Sequence, residues 1–163
     1  MSKPIDSSGT RVWLVLMKAH RALGRHASRS IGQFEIGLSD FAILEMLLHK
    51  GPLLVNEIGR RIELTSGAIT SAVDRLEARG LVRRSTDDTD RRVRVIHLTA
   101  EGKACIQPIF AVHKQVMDAA AGGLSAAERA TLIALLKKLG TSAEHTAPGP
   151  EGPVTRKGDP RKP

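Results

Sequence analysis

Apolar residues recur at helical spacing over most of the first 140 positions and change to alternation only once, near residue 95. The periodicity predicts helices over about 10–30, 40–50, 55–62, 66–79, 100–121 and 126–140. Val12, Leu16, Ala19 and Leu23 share one face of the first. The second turns Phe41, Leu44, Leu47 and Leu48 inward, with Ser39 placed to cap it and Gly51-Pro52 to stop it. The short third helix buries Ile58 and Ile62, and the fourth buries Ile69, Val73 and Leu76 before Gly80 ends it. Thr99 caps the fifth helix, in which Pro108 predicts a bend near 104–108. Ser125 and Glu128 form a capping box for the last, whose stripe is Leu132, Leu135, Leu136 and Leu139.

Between the fourth and fifth helices the pattern is that of a hairpin. Residues 81–84 and 93–98 read as strands, with Arg94, Ile96 and Leu98 on one face and Val93, Val95 and His97 on the other. The stretch from Thr86 to Arg91 carries turn chemistry. Residues 1–9 read as a loose arm and 142–163 as a disordered tail, since five of the eight prolines fall between Pro148 and Pro163.

Composition narrows the class. Hydrophobic residues make up 41% of the 163 and aromatic residues only 2%, which favours helix packed on helix. The net charge of +8 raises the expectation of a polyanionic partner, nucleic acid first. Cys105 is the single cysteine, so no intrachain disulfide forms; no signal peptide or spanning segment is visible, and the expectation is a cytoplasmic protein with no membrane partner.

The third and fourth helices, joined by Glu63-Leu64-Thr65, form a helix-turn-helix candidate. With the apolar stripe inward, the fourth presents Ser66, Gly67, Thr70, Ser71 and Asp74 outward, small side chains that allow close approach to base edges. Arg75 can reach a phosphate or a guanine edge. A solvated amphipathic helix would show the same pattern, and the hairpin tips the balance. Six arginines and three aspartates lie between Arg79 and Arg94, with Asp90-Arg91-Arg92 at the tip. An arginine there can enter a narrow minor groove, oriented by Asp90.

The segment Leu76-Glu77-Ala78-Arg79-Gly80-Leu81-Val82-Arg83-Arg84, followed by Asp90-Arg91-Arg92 and by Val95-Ile96-His97-Leu98-Thr99-Ala100-Glu101-Gly102, closely resembles the core of the MarR family of bacterial transcriptional regulators. The likeness extends over roughly residues 10–140 and departs at Val55-Asn56, where a hydroxyl cap often opens the third helix. It implies a mainly α fold with a small β-wing: a winged helix-turn-helix at about 40–99, flanked by dimerisation helices at about 10–30 and 100–140, within a domain of residues 10–141. It further implies a homodimer on double-stranded DNA with a palindromic operator. By position, Arg92 is the wing-tip arginine and Asp90 its partner, with Arg84 and Arg91 completing the basic wing; Ser66, Thr70, Ser71 and Arg75 face the groove. The outer helices also carry more apolar surface than the middle of the chain can cover, which agrees with pairing.

The likeness extends to regulation. A small phenolic or aromatic-acid effector would bind near Trp13, His20, Arg21 and His49 and release a repressor from DNA. The alternatives are a redox- or metal-responsive regulator of the same fold, or a winged helix used only for protein assembly. Six histidines show no H-x3-H spacing, so no metal or cofactor is expected, and Cys105 reads as a small buried residue. No nucleophile–base pair or phosphate-cradling loop appears, so no catalytic residue is assigned and an enzyme is not expected.

Overall fold

A computed structural model describes residues 7–86 and 94–146. Along the chain run α1 (Gly9–Gly32), α2 (Leu38–Lys50), β1 (Leu53–Leu54), α3 (Val55–Arg61), α4 (Ser66–Ala78), β2 (Val82–Thr86), β3 (Arg94–Leu98), α5 (Ala100–Ala120) and α6 (Ala126–Thr146). The chain divides after Ala120 into two compact units, so α6 stands in the second. The fold is mostly helical with one small antiparallel sheet, ordered β1-β3-β2.

All six expected helices form, with shifts at their ends. α2 begins at Leu38 behind Gly37, so Ser39 lies inside its first turn and does not cap it. α6 runs on to Thr146, past the point where a tail was expected to begin at 142. α5 continues unbroken through Pro108. The first strand of the hairpin starts one residue later than expected and runs two residues farther, with Val82 opposite Leu98 and Thr86 opposite Arg94. β1 was not expected at all. Its two residues pair with Ile96 and Val95, a contact visible only once β3 is in place.

The core of the first unit is aliphatic: Ile43, Leu44, Ile58, Val73, Leu76, Ile96 and Ile106 are fully enclosed. α2 is its centre, buried at Phe41, Ile43, Leu44 and Leu47 because α4, β3 and α5 pack around it. That explains why Ile43 falls outside a single amphipathic stripe. α1 lies along α5, joined by Ser30: its hydroxyl donates to the Ala27 carbonyl at 2.9 Å and stands 2.9 Å from His113 Nδ1. The N-terminal half of α1 is different. Val12, Trp13, Leu14 and Val15 are exposed, Trp13 by 59%. α6 buries nothing, and Leu132, Ile133, Leu135, Leu136 and Leu139 all face solvent.

Two backbone junctions hold α4 and the hairpin. At its end Gly80, at φ 71°, allows Gly80 N–H to donate to Glu77 and Leu81 N–H to Leu76. Both distances are 2.9 Å, the pattern of a helix closed by a left-handed residue. Farther on, Thr99 ties three segments together. Its hydroxyl donates toward the Gly80 and Leu81 carbonyls at 2.7 and 3.1 Å and accepts from Gly102 N–H at 2.9 Å, capping α5. Thr99 N–H also donates to the Leu81 carbonyl, at 3.1 Å.

Candidate nucleic-acid interface

The helix-turn-helix is α3, the turn Ile62–Thr65 and α4. Glu63 takes φ 54°, and Leu64 N–H donates to Gly59 O at 2.9 Å, so α3 ends in the same left-handed manner as α4. Gly59 lies against Ile69, where an added Cβ would come within 3.3 Å of its Cγ2. The absence of a side chain thus lets the two helices close on each other. Thr65 caps α4, its hydroxyl accepting from Ala68 N–H at 3.3 Å. Inward go Ile69, Ala72, Val73 and Leu76, the expected stripe plus Ala72.

Ser66, Gly67, Thr70, Ser71, Asp74 and Arg75 are all exposed along the opposite face. The Thr70 hydroxyl donates to the Ser66 carbonyl at 2.8 Å, so toward a ligand it offers its acceptor lone pairs. Val55, Asn56, Ser66, Ile69, Thr70, Asp74, Arg84 and Arg94 line a cleft of about 460 Å³ between this face and the hairpin. Neither Asn56 nor Arg94 was assigned a DNA contact from the sequence. Arg94 could have been, since it lies at the outer end of an alternating strand beside the basic tip.

Two expected DNA contacts have other partners. Arg75 donates from Nη2 to Asp40 Oδ1 at 2.7 Å and from Nη1 to the Ser71 carbonyl at 3.3 Å. The hydrogen bond and charge of Asp40 hold the Arg75 pKa above its ordinary value. Asp40 sits in the first turn of α2 with its side chain 7% exposed, so the pair links α4 to the central helix. Arg84 donates to Glu77 and Asp74 through its two terminal nitrogens, and its backbone N–H donates to Glu77 Oε1 at 2.9 Å. Burial opposes the Arg84 charge, but the bonds to Asp74 and Glu77 outweigh that and raise its pKa. Asp90, Arg91 and Arg92 lie outside the described residues.

The expected effector residues are spread out. His20 and Arg21 line an open groove of about 800 Å³ with Arg25, Arg29 and Leu38; Trp13 and His49 do not line it. His49 instead stands edge-on to Phe110, ring centroids 4.7 Å apart, and 3.7 Å from Glu45. Cys105 is half-buried against the core. Among the described residues no three His, Cys, Asp or Glu side chains gather as a metal set, and no helix is long and apolar enough to cross a membrane.

Known proteins share this arrangement. Residues 34–93, which take in α2 to β2 and stop just before β3, match the profile described as MarR family. The chain is 34% identical over 134 residues to the HTH-type transcriptional regulator MhqR of Bacillus subtilis (strain 168), across 82% of this chain and 92% of that protein. A crystal structure of a probable transcriptional regulator from Pseudomonas aeruginosa superposes with a TM-score of 0.67 at 29% identity, over 82% of this chain and 97% of the other. The fold is also that of BpsR from Bordetella bronchiseptica (TM-score 0.69, 22% identity, 86% and 98% covered), a protein described by the regulation of its DNA binding by 6-hydroxynicotinic acid. With a helix-turn-helix, a β-hairpin following it, and this degree of identity along most of its length, the chain belongs to the MarR family of DNA-binding transcriptional regulators.

Proposed function

We propose that this chain is a cytoplasmic homodimeric repressor that occupies a palindromic operator and leaves it when a small aromatic acid binds. The exposed face of α4 carries the proposal: Ser66, Gly67, Thr70 and Ser71 form a patch of small polar groups without a bulky side chain. Such a patch can approach base edges, while Arg91 and Arg92, with Asp90 orienting the guanidinium, reach the flanking minor groove. Two-fold symmetry sets the two α4 helices about 34 Å apart, one turn of DNA. A protein so placed over a promoter excludes polymerase, hence repression. The groove beside His20 and Arg21 supports the effector half of the reading. Its walls hold Arg25 and Arg29 and no carboxylate, a setting for an acid. A ligand wedged there releases DNA by favouring an unsuitable spacing of the α4 helices. Trp13 and His49 do not line this groove, so the proposed site gives them no part.

A gel-shift titration with duplex enriched from a random library by the protein tests the DNA contacts. Above the salt at which the protein is fully dimeric, wild-type affinity is expected to fall linearly in log K against log salt, and Arg92→Ala to weaken binding about tenfold at moderate salt. A flat salt profile, or unchanged affinity in the variant, would overturn the assignment.

A further inference from the structure

We infer that Arg84 is a positioning residue for DNA reading, a strut that sets the angle between the wing and α4, and that it touches no DNA itself. The inference rests on the proposal that α4 and the wing read DNA together. On β2, Arg84 lies directly opposite Ile96, and Ile96 is completely buried, so both side chains belong to the inner face of the hairpin. A charge at that register is directed toward α4. It meets Asp74 and Glu77, one helical turn apart on α4, and bridges them with its two terminal nitrogens. Glu77 also accepts from the Arg84 backbone N–H at 2.9 Å, so one carboxylate fixes both the strand and the side chain.

A phosphate contact draws on guanidinium charge that is exposed and not already paired with carboxylates. Both terminal nitrogens of Arg84 are engaged, and its side chain is only 25% exposed. Asp74, by contrast, is 58% exposed and lines the cleft shared with Ser66 and Thr70. Charge-assisted bonds from a planar fork fix direction as well as distance, which an ammonium cannot reproduce. Only Arg79, Gly80 and Leu81 separate α4 from β2. The Gly80 turn therefore fixes where the hairpin starts, and the strut fixes where it points.

Two hypotheses then predict opposite signs for Asp74→Asn/Glu77→Gln. That double variant removes two negative charges per subunit beside the DNA-facing surface. If charge alone governs, affinity for every duplex rises. If the strut governs, affinity for a duplex selected from a random library by the wild-type protein falls about tenfold. Affinity for poly(dI-dC) stays level or increases, which also shows that the variant is folded. Arg84→Lys preserves the charge and is expected to lose several-fold on the selected duplex, with poly(dI-dC) binding unchanged. Selected-duplex affinity at or above wild type in the double variant, or full affinity in Arg84→Lys, would overturn the strut. Failure of the wild-type protein to enrich any sequence would remove the DNA-reading proposal beneath it as well.

Discussion

Gly102 has no room for a side chain: a Cβ built there would lie 1.9 Å from the Leu81 carbonyl oxygen and 2.9 Å from its carbon. That oxygen is already an acceptor for Thr99, and backbone cannot step aside as the end of a flexible side chain can. Gly102→Ala is therefore expected to cost about 2–3 kcal/mol, as overpacking does. In a thermal melt this should appear as a drop of roughly 5–10 °C. An unchanged melting temperature would show that the junction is looser than drawn. The sequence revealed Thr99 as a cap, because a hydroxyl before a helical pattern is a local signal. It could not reveal why position 102 is glycine, since the obstructing carbonyl belongs to a residue 21 places earlier. The carboxylate partners of Arg75 and Arg84 were hidden for the same reason. An arginine on an exposed face looks available until Asp40 and Glu77 are placed beside it in space.

Helices were legible as elements because each repeats a signal over several turns; β1, with two residues, carries no repeat. The hairpin was recognisable, but its outer face conceals a titration. His97 lies opposite Arg83 and hydrogen-bonds through Nε2 with Ser85 Oγ at 2.8 Å. Burial first, and the Arg83 charge second, push its pKa below 6.5. The unfolded chain therefore takes up this proton more readily than the folded one. Stability is expected to decline as pH falls through 6.5 and below. His97→Gln should reduce that decline, measured as melting temperature against pH. An equally steep profile in the variant would assign the pH dependence to other groups.

At the scale of the molecule, the uncovered apolar residues are the dominant feature. Leu132, Ile133, Leu135, Leu136 and Leu139 on α6, and Val12 to Val15 on α1, give each helix a run of exposed apolar residues, and such runs mark interaction surfaces. Two copies pairing through these helices would cover them. Leu132→Glu/Leu136→Glu is expected to yield a monomer by sedimentation, with operator affinity lost as the second half-site contact disappears. A variant that remains dimeric would place the pairing surface elsewhere. This expectation was readable in the sequence, since surplus hydrophobicity is a property of composition and period alone. The partner residues across such a pair were not, because nothing in one copy states its register against the other.

α1 carries Arg11, Lys18, Arg21, Arg25 and Arg29 over 24 residues and not one aspartate or glutamate. Bringing two such rods alongside each other concentrates ten like charges, an opposition that dissolved electrolyte relieves. The same electrolyte strips the protein from its nucleic acid. Ionic strength would consequently push assembly and occupancy in contrary directions, and the regulator would perform best within a window of salt, fading both in very dilute and in very concentrated solution.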